Sequence, residues 1–157
     1  MIQRNKWWRS ALVFLTVVSI GLLGCDINLA FPAKPAPVSN AISFDVFANK
    51  GWQGTGVKIS TGEKLTILYI SGLWSPWAGG QYDGIGSGGD PKCGCNVIMG
   101  VSHAALIGKI GDSNPFLVGN SFTQRMGENG ELFLGINDSQ YGDNSGSLTL
   151  EIIFGAR

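Results

Sequence analysis

The fold is decided near the end of the chain, by residues 147–154, which read SLTLEIIF. Apolar and polar side chains nearly alternate in this stretch: Leu148, Leu150, Ile152 and Phe154 stand against Thr149 and Glu151. Successive side chains of a β-strand point to opposite faces of its sheet. A period of two therefore predicts a strand with one face on a core.

The pattern recurs through the chain from residue 41 onward. Residues 57–59 and 132–136 alternate, while runs 65–70 and 104–110 are apolar at nearly every position, which predicts central strands buried on both faces. Turn signals rich in Gly, Asn and Asp separate these runs, at residues 61–63, 112–115, 128–130 and 143–146. About eight short strands without helical periodicity predict an all-β, antiparallel, jelly-roll-like β-sandwich.

Composition excludes two classes of function. The 157 residues carry 11 Lys and Arg against 11 Asp and Glu, so no basic excess is present to neutralise a nucleic acid. A single histidine, His103, and the lack of a G-x-S-x-G motif argue against acid–base or serine-nucleophile catalysis. The sequence therefore predicts a binding or structural protein rather than an enzyme.

The N-terminal segment has the features of an export signal. Arg4, Lys6 and Arg9 precede an uncharged apolar run at 10–21, which is too short to span a bilayer of about 30 Å unaided. It ends in Leu22-Leu23-Gly24-Cys25, which resembles a bacterial lipobox. That resemblance implies cleavage before Cys25, acylation of this cysteine and a lipid anchor in the cell envelope, at the inner or the outer membrane. A soluble secretory signal or an uncleaved anchor is the alternative.

Three segments follow from this interpretation. Residues 1–24 are the signal peptide, residues 25–40 a tether and residues 41–157 the β-sandwich domain. The tether contains Pro32, Pro35 and Pro37, which favour a stiff, extended chain. At about 3.1 Å per residue it could hold the domain up to about 45 Å from a bilayer.

The turn at 138–145 carries the strongest chemical signal. It places Asp138 and Asp143 beside Gln140 and Asn144, all hard oxygen donors without thiolate or imidazole among them. Such donors select Ca²⁺ over Zn²⁺ or Cu²⁺. The flanking segments are strands, so this is no EF-hand. A polar hairpin turn without a metal is the alternative, because Asn, Asp and Gly are common turn residues.

Four motifs together resemble one family. Asn137-Asp138 followed by residues 141–147 (YGDNSGS) and a terminal strand resembles the calcium and sugar loop of the bacterial PA-IL-type galactophilic lectins. Residues 51–54 (GWQG), 71–75 (SGLWS) and 104–111 (AALIGKIG) resemble the opening, the strand before the first ligand loop and the central strand of that domain. The match spans about residues 51–154, and the family fold is a small jelly-roll sandwich.

The resemblance implies a calcium site that also binds a galactose-like sugar. The implied ligands are the carboxylates of Asp138 and Asp143, the Asn144 side chain, and the backbone carbonyls of Gln140 and of Pro76 or Trp77. Two sugar hydroxyls would complete the calcium shell and donate to Asp138 and Asp143. Trp77 or Tyr82 would supply an aromatic wall for the sugar ring.

The chain departs from the galactose-specific members in two places. The loop between Asp138 and Tyr141 is about two residues shorter, and the Gly-rich middle loop has no histidine, with Gln81 and Asn96 as the nearest amide side chains. The calcium site is therefore better supported than galactose as the ligand. The alternative function is a structural envelope lipoprotein whose calcium-stabilised sandwich binds no sugar. Oligomerisation is compatible with either function.

Four further residues have open or structural interpretations. Cys93 and Cys95 could form a local disulfide, stay free, or bind a metal or another chain. His103 adjoins an apolar strand, which favours a structural role over a ligand role. Trp74 is expected in the core, and Trp77, beside small residues, is the better exposed platform.

The lipobox predicts that Cys25→Ser abolishes acyl labelling and releases the chain from membranes, because the lipid supplies the membrane affinity. Metabolic labelling with a fatty acid and membrane fractionation measure both effects. Cys95→Ser is the matched control and should label like wild type. A Cys25→Ser chain that labels and fractionates like wild type would show that Cys25 is not the anchor.

Overall fold

The computed structural model describes residues 38–156. These residues form eight strands and a single turn of 3₁₀ helix at Tyr141–Asp143. The strands are β1 (Asn40–Phe47), β2 (Gln53–Ile59), β3 (Lys64–Ser75), β4 (Leu106–Ile110), β5 (Phe116–Leu117), β6 (Ser121–Arg125), β7 (Gly130–Ile136) and β8 (Ser145–Ala156). The predicted signal peptide and nearly all of the predicted tether lie outside the described residues, and β1 begins one residue before the expected domain boundary.

The strands form two four-stranded sheets, with strand orders β1-β8-β3-β6 and β2-β7-β4-β5. Every pairing between them is antiparallel. The prediction of an all-β antiparallel sandwich of about eight strands is therefore confirmed. Within residues 38–156, no helix has the length and apolar character needed to span a membrane.

The core lies between the two sheets and follows the alternation in the sequence. Leu148, Leu150 and Ile152 of β8 are fully buried, while Thr149 and Glu151 between them are partly exposed. Strand β7 contributes Leu132, Leu134 and Ile136 from the facing sheet. One-sided burial of this kind is the hydrophobic contribution that holds the two layers together.

One apolar run is less buried than its composition suggests. Residues 65–70 were expected to be buried on both faces, but Ile70 is 57% exposed and Leu68 is only partly buried. The reason is that β3 lies inside its sheet but no third layer of the described chain covers the outer face. In contrast, β4 with its preceding alanines is buried at every position except Lys109, although the strand begins at Leu106 rather than at residue 104.

Strand β3 is twelve residues long because two expected segments are continuous in it. The run 65–70 and the motif 71–75 form a single strand, with a register shift against β8 between Tyr69 and Ser71. In this pairing Gly72 lies opposite Leu148 and Gly146 lies opposite Trp74, and both glycines have positive φ (96° and 81°). A Cβ on either glycine would collide with a carbonyl oxygen of the opposite strand, so only glycine fits.

The register brings four strand ends together at one end of the sandwich. Ser75, the last residue of β3, pairs with Ser145, the first residue of β8. In the other sheet Leu106, the first residue of β4, pairs with Ile136, the last residue of β7. The loop after β3, the segment before β4 and the turn between β7 and β8 therefore meet at this end.

Candidate functional site

A cavity of about 270 Å³ opens where these four strand ends meet. Its lining residues come from the loop after β3, from the segment that precedes β4 and from the turn between β7 and β8. They are Pro76, Trp77, Asp90, Cys93, Cys95, His103, Asp138, Gln140 and Asp143. Three of the nine are carboxylates, and neither lysine nor arginine is among them, so the cavity favours a cation.

The turn between β7 and β8 supplies a buried carboxylate. Asp138 is 2% exposed, and its Oδ1 accepts a hydrogen bond from the backbone N–H of Gln140 at 2.9 Å. Asp143 and Gln140 are exposed and reach the cavity from the same turn. Partial burial raises the pKa of the Tyr141 phenol, and the negative charge of Asp138 raises it further.

Asn144, the residue after Asp143, is a buried amide at the end of the turn. Its Nδ2 donates to the carbonyl of Ala48 at 3.2 Å, which fixes the orientation of the amide. Its Oδ1 is buried and accepts no hydrogen bond from any described residue. A buried acceptor without a partner is rare in native proteins and costs about 1–3 kcal/mol. This oxygen is thus available to a group that the protein itself does not provide.

Asn137, the residue before Asp138, holds in place the segment before β4, which forms another wall of the cavity. The residue is fully buried, and its Oδ1 accepts a hydrogen bond from the N–H of Ile98 at 2.7 Å. Its Nδ2 lies within hydrogen-bond distance of three backbone carbonyls, those of Ile98, Val101 and Ser102, at 3.1–3.3 Å. One side chain therefore holds the segment before β4 against the end of β7.

The Gly-rich connection also folds onto this segment. Ser87 donates its N–H to the carbonyl of His103 at 2.8 Å, and the N–H of His103 donates to Gly89 at 3.0 Å. The N–H of Leu106 donates to Gly84 at 2.9 Å. Residues 84–89 are therefore held against residues 103–106 by backbone hydrogen bonds. They do not form a phosphate-binding loop, which would need a helix N-terminus after it.

His103 is oriented by Asn96. The Asn96 Nδ2 donates to the carbonyl of Asp90 at 2.9 Å, so the Asn96 Oδ1 faces His103 Nδ1, also at 2.9 Å. An amide oxygen only accepts, so the hydrogen bond assigns the ring proton to Nδ1. In the neutral ring the lone pair is then on Nε2. The ring stacks on Trp77, with centroids 5.4 Å apart and planes 5° from parallel.

Cys93 and Cys95 form a disulfide, one of the three alternatives that the sequence leaves open. The Cys95 Sγ lies 3.6 Å from His103 Nδ1. Cys95, His103 and Asp138 each bring one potential ligand atom within 4.8 Å of the other two. A possible metal-binding triad thus exists in addition to the oxygen donors of the turn, although its sulfur is oxidised.

The structure brings most of the sequence-predicted residues to one place. Pro76, Trp77, Asp138, Gln140 and Asp143 line the cavity, and Asn144, which follows Asp143 in the sequence, is buried and outside the lining. Tyr82 is absent from the lining and instead packs edge-on against Trp77, with centroids 5.6 Å apart. Trp74 is a core residue, as expected, and its Nε1 donates to the carbonyl of Ala104 at 3.0 Å.

Four lining residues were not expected from the sequence: Asp90, Cys93, Cys95 and His103. They lie in a segment without periodicity, and His103 adjoins an apolar run that favoured a structural role over a ligand role. Of the two amides nearest to the missing histidine, Gln81 is exposed and outside the lining, and Asn96 is buried against His103. The proximity of two cysteines to the only histidine was the one available signal.

Comparison with solved structures gave a likeness that extends over most of the chain. A solved structure described as "EclA N-terminal domain; PllA-like lectin" superposes with a TM-score of 0.56 at 26% sequence identity. The match covers 73% of this chain and 98% of that one. No protein-family model matches the chain. No curated protein sequence matches it either.

The geometry predicts that Asn137→Asp disrupts the cavity wall, because a carboxylate would face three carbonyl oxygens. We expect a loss of about 3 kcal/mol or more in the free energy of unfolding, and about 1–3 kcal/mol for Asn137→Ala. Hydrogen exchange should accelerate at the Ile98 amide while the β8 amides stay protected. Asn129→Ala, which removes one exposed hydrogen bond to Thr61, is the matched control. Equal protection of Ile98 in all variants would contradict the fastening role.

Proposed function

We propose that residues 38–156, a PA-IL-type lectin-like domain, bind a carbohydrate through a calcium ion held by the 138–144 turn. The lectin likeness supports a binding protein rather than an enzyme. The acidic cavity supports a cation. The sequence motif connects the two, because its carboxylates are placed at that cavity.

The single observation that carries the proposal is the unpartnered oxygen of Asn144. It is buried, and its amide is fixed by Ala48, so the oxygen has neither water access nor freedom to turn. A hard oxygen in the same short turn as a buried carboxylate matches the donors that Ca²⁺ prefers. The residues present therefore fit the ion that the family implies.

The rest of the ligand set follows from what each oxygen already binds. Asp138 uses Oδ1 for the Gln140 N–H, and its remaining acceptor positions are available to a cation. Asp143 adds a second carboxylate from the exposed side of the turn. The backbone carbonyl of Gln140, which lies between Asp138 and Asp143 in the sequence, would be a further calcium ligand.

The loop after β3 offers two carbonyls, and the hydrogen bonds distinguish them. The Trp77 oxygen accepts from the Ser75 hydroxyl and also from the N–H of Gly80 at 3.4 Å. Both of its lone pairs are thereby engaged. The carbonyl of Pro76, a residue that also lines the cavity, is therefore the better ligand.

When bound, calcium supplies a Lewis-acidic centre for two neighbouring hydroxyl oxygens of a sugar. Asp138 and Asp143 would accept hydrogen bonds from those hydroxyls, which fixes the orientation of the sugar ring. Trp77 offers an apolar face at the cavity, stacked against His103 behind it. Tyr82 would support Trp77 from its edge rather than contact the sugar itself. A galactose-like monosaccharide is the leading ligand.

The membrane part of the proposal rests on the sequence alone. Acylation at Cys25, outside the described residues, would hold many copies of the domain on one surface of the cell envelope. Sites that are weak singly can then bind a multivalent glycan tightly, because the second contact is made at high effective concentration. Oligomerisation would serve the same purpose.

The calcium site predicts a metal-dependent stability. A ligand that binds only the native state adds RT ln(1 + [L]/Kd) to the free energy of unfolding. When the Ca²⁺ concentration is a hundred times Kd, this is about 2.7 kcal/mol, or roughly 10 °C in Tm. We expect EDTA to remove this shift from the full chain in detergent, and Asp138→Asn to abolish it. Asp112→Asn removes an exposed carboxylate elsewhere and should keep it. A Tm unchanged by EDTA in calcium-loaded wild type would overturn the site.

Sugar binding should depend on calcium and be weak at each site. A shallow site for one monosaccharide gives an expected Kd between about 10 µM and 1 mM, or about −4 to −7 kcal/mol. Calorimetry with galactose, mannose, fucose and N-acetylglucosamine, in Ca²⁺ and then in EDTA, measures it. Binding that persists in EDTA would refute the mechanism. Calcium binding without affinity for any glycan would instead favour the structural alternative, a calcium-stabilised sandwich.

A further inference from the structure

One wall of the cavity carries donors of a different chemical kind from the oxygen turn. Cys95, His103 and Asp138 each place one potential ligand atom within 4.8 Å of the other two. Cys93 lines the same cavity and is bonded to Cys95. Two sulfurs, an imidazole and a carboxylate are thus gathered from three segments of the chain.

The oxidation state of the sulfurs is the chemical obstacle to these four residues acting as a ligand set. A disulfide sulfur is a poor ligand, whereas a thiolate binds borderline and soft cations strongly. A dithiol reductant would donate two electrons, break the Cys93–Cys95 bond and itself close into a disulfide, leaving two thiols. Each thiol would then lose its proton to solvent as a metal binds. Both cysteines are partly exposed, so a reductant can reach them.

One ring nitrogen of His103 is free to act as a ligand, although the Cys95 Sγ, 3.6 Å from Nδ1, must move toward it. The His103 Nδ1–H donates to the Asn96 oxygen at 2.9 Å, which leaves the Nε2 lone pair available. Metal-binding histidines typically donate their other ring N–H to a fixed acceptor in this way. No described residue forms a hydrogen bond with Nε2, although the ring lines the cavity.

We propose that reduction of the Cys93–Cys95 disulfide converts this wall into a tetrahedral site for Zn²⁺, with Cys93, Cys95, His103 and Asp138 as ligands. Zinc–sulfur and zinc–nitrogen bonds of about 2.3 and 2.0–2.1 Å put tetrahedral ligand atoms about 3.5 Å apart. The triad atoms, now within 4.8 Å of one another, must therefore close by up to about 1.3 Å, and the Cys93 sulfur must turn toward them. Gly94 between the cysteines has open space around it, which permits that movement once the bridge is broken.

The zinc site would share Asp138 with the proposed calcium site. One carboxylate cannot serve both ions fully, so zinc in the reduced protein should displace calcium and with it any sugar. The oxidised protein would be restricted to the hard-cation chemistry of the turn. The oxidation state of two cysteines would then select which ion the cavity takes.

Cobalt(II), a coloured substitute for zinc, tests the site directly. The full chain in detergent is reduced with dithiothreitol, desalted under nitrogen and titrated with Co²⁺. We expect one ion per chain, a thiolate-to-cobalt charge-transfer band and the intense visible bands of tetrahedral cobalt, all removed by one equivalent of Zn²⁺. The oxidised chain should show none of these bands.

Variants separate the four-ligand site from simple thiol binding. His103→Gln and Asp138→Asn should each weaken cobalt binding at least tenfold and shift the visible bands, while Asp112→Asn should leave both unchanged. Identical spectra and affinity in all three variants would overturn the site, as would cobalt bands in the oxidised chain. If reduction alone unfolds the domain, zinc should restore its native tryptophan fluorescence, and failure to do so also overturns the proposal.

The calcium measurements keep the two proposals distinguishable. A reduced chain that ignores cobalt, beside an oxidised chain that calcium still stabilises, overturns the zinc site alone. Cobalt bands in the reduced chain without calcium stabilisation of the oxidised chain overturn the calcium site alone.

Discussion

The buried amide of Asn137 is the contact on which the cavity depends. Its side chain bonds the backbone around Ile98, and its own N–H and C=O bond Ala105 and Ala104 at 2.8 and 3.2 Å. Ala104 has a left-handed φ of 62°, which is unfavourable outside glycine. It is held there by the Asn137 carbonyl and by the Trp74 indole, which bonds its oxygen. The buried Asn137 thus positions the segment before β4. If that segment moved away, the backbone groups now bonded to Asn137 would be left without hydrogen-bond partners.

Asp138, the next residue, shows why the same place attracts ions. A carboxylate this deeply buried is costly unless it is paired, and the cavity lining contains neither lysine nor arginine to pair it. Its one backbone donor offsets part of the cost. A bound cation would offset the remaining cost of burying the Asp138 carboxylate. That cation could be a hard ion held by the oxygen donors of the turn or a softer ion held by the sulfurs and the imidazole. Both chemistries converge on a single residue.

The sequence predicted the strands and the acidic turn because both are local patterns. The alternation at 147–154 is a direct imprint of the β pleat, and the turn at 138–145 concentrates its donors within eight residues. The connection between β3 and β4 has no such pattern, because its many glycines can adopt a wide range of backbone conformations. Its shape is set by contacts distant in sequence, such as the Asn137–Ile98 bonds between residues 39 apart. The sequence therefore favoured a structural role for His103 over a ligand role, and the exposure of Ile70 was missed because composition does not show which sheet face is covered.

The pairing of the first strand with the last gives the domain a polarity. Asn40 lies opposite Phe154, whereas Phe47 lies opposite Ser147, two residues after the end of the cavity turn at Ser145. The chain therefore enters the domain at one pole and forms the cavity near the other, about eight residues or roughly 27 Å further along the strands. The cavity is thus presented at the end of the sandwich that lies opposite the start of β1.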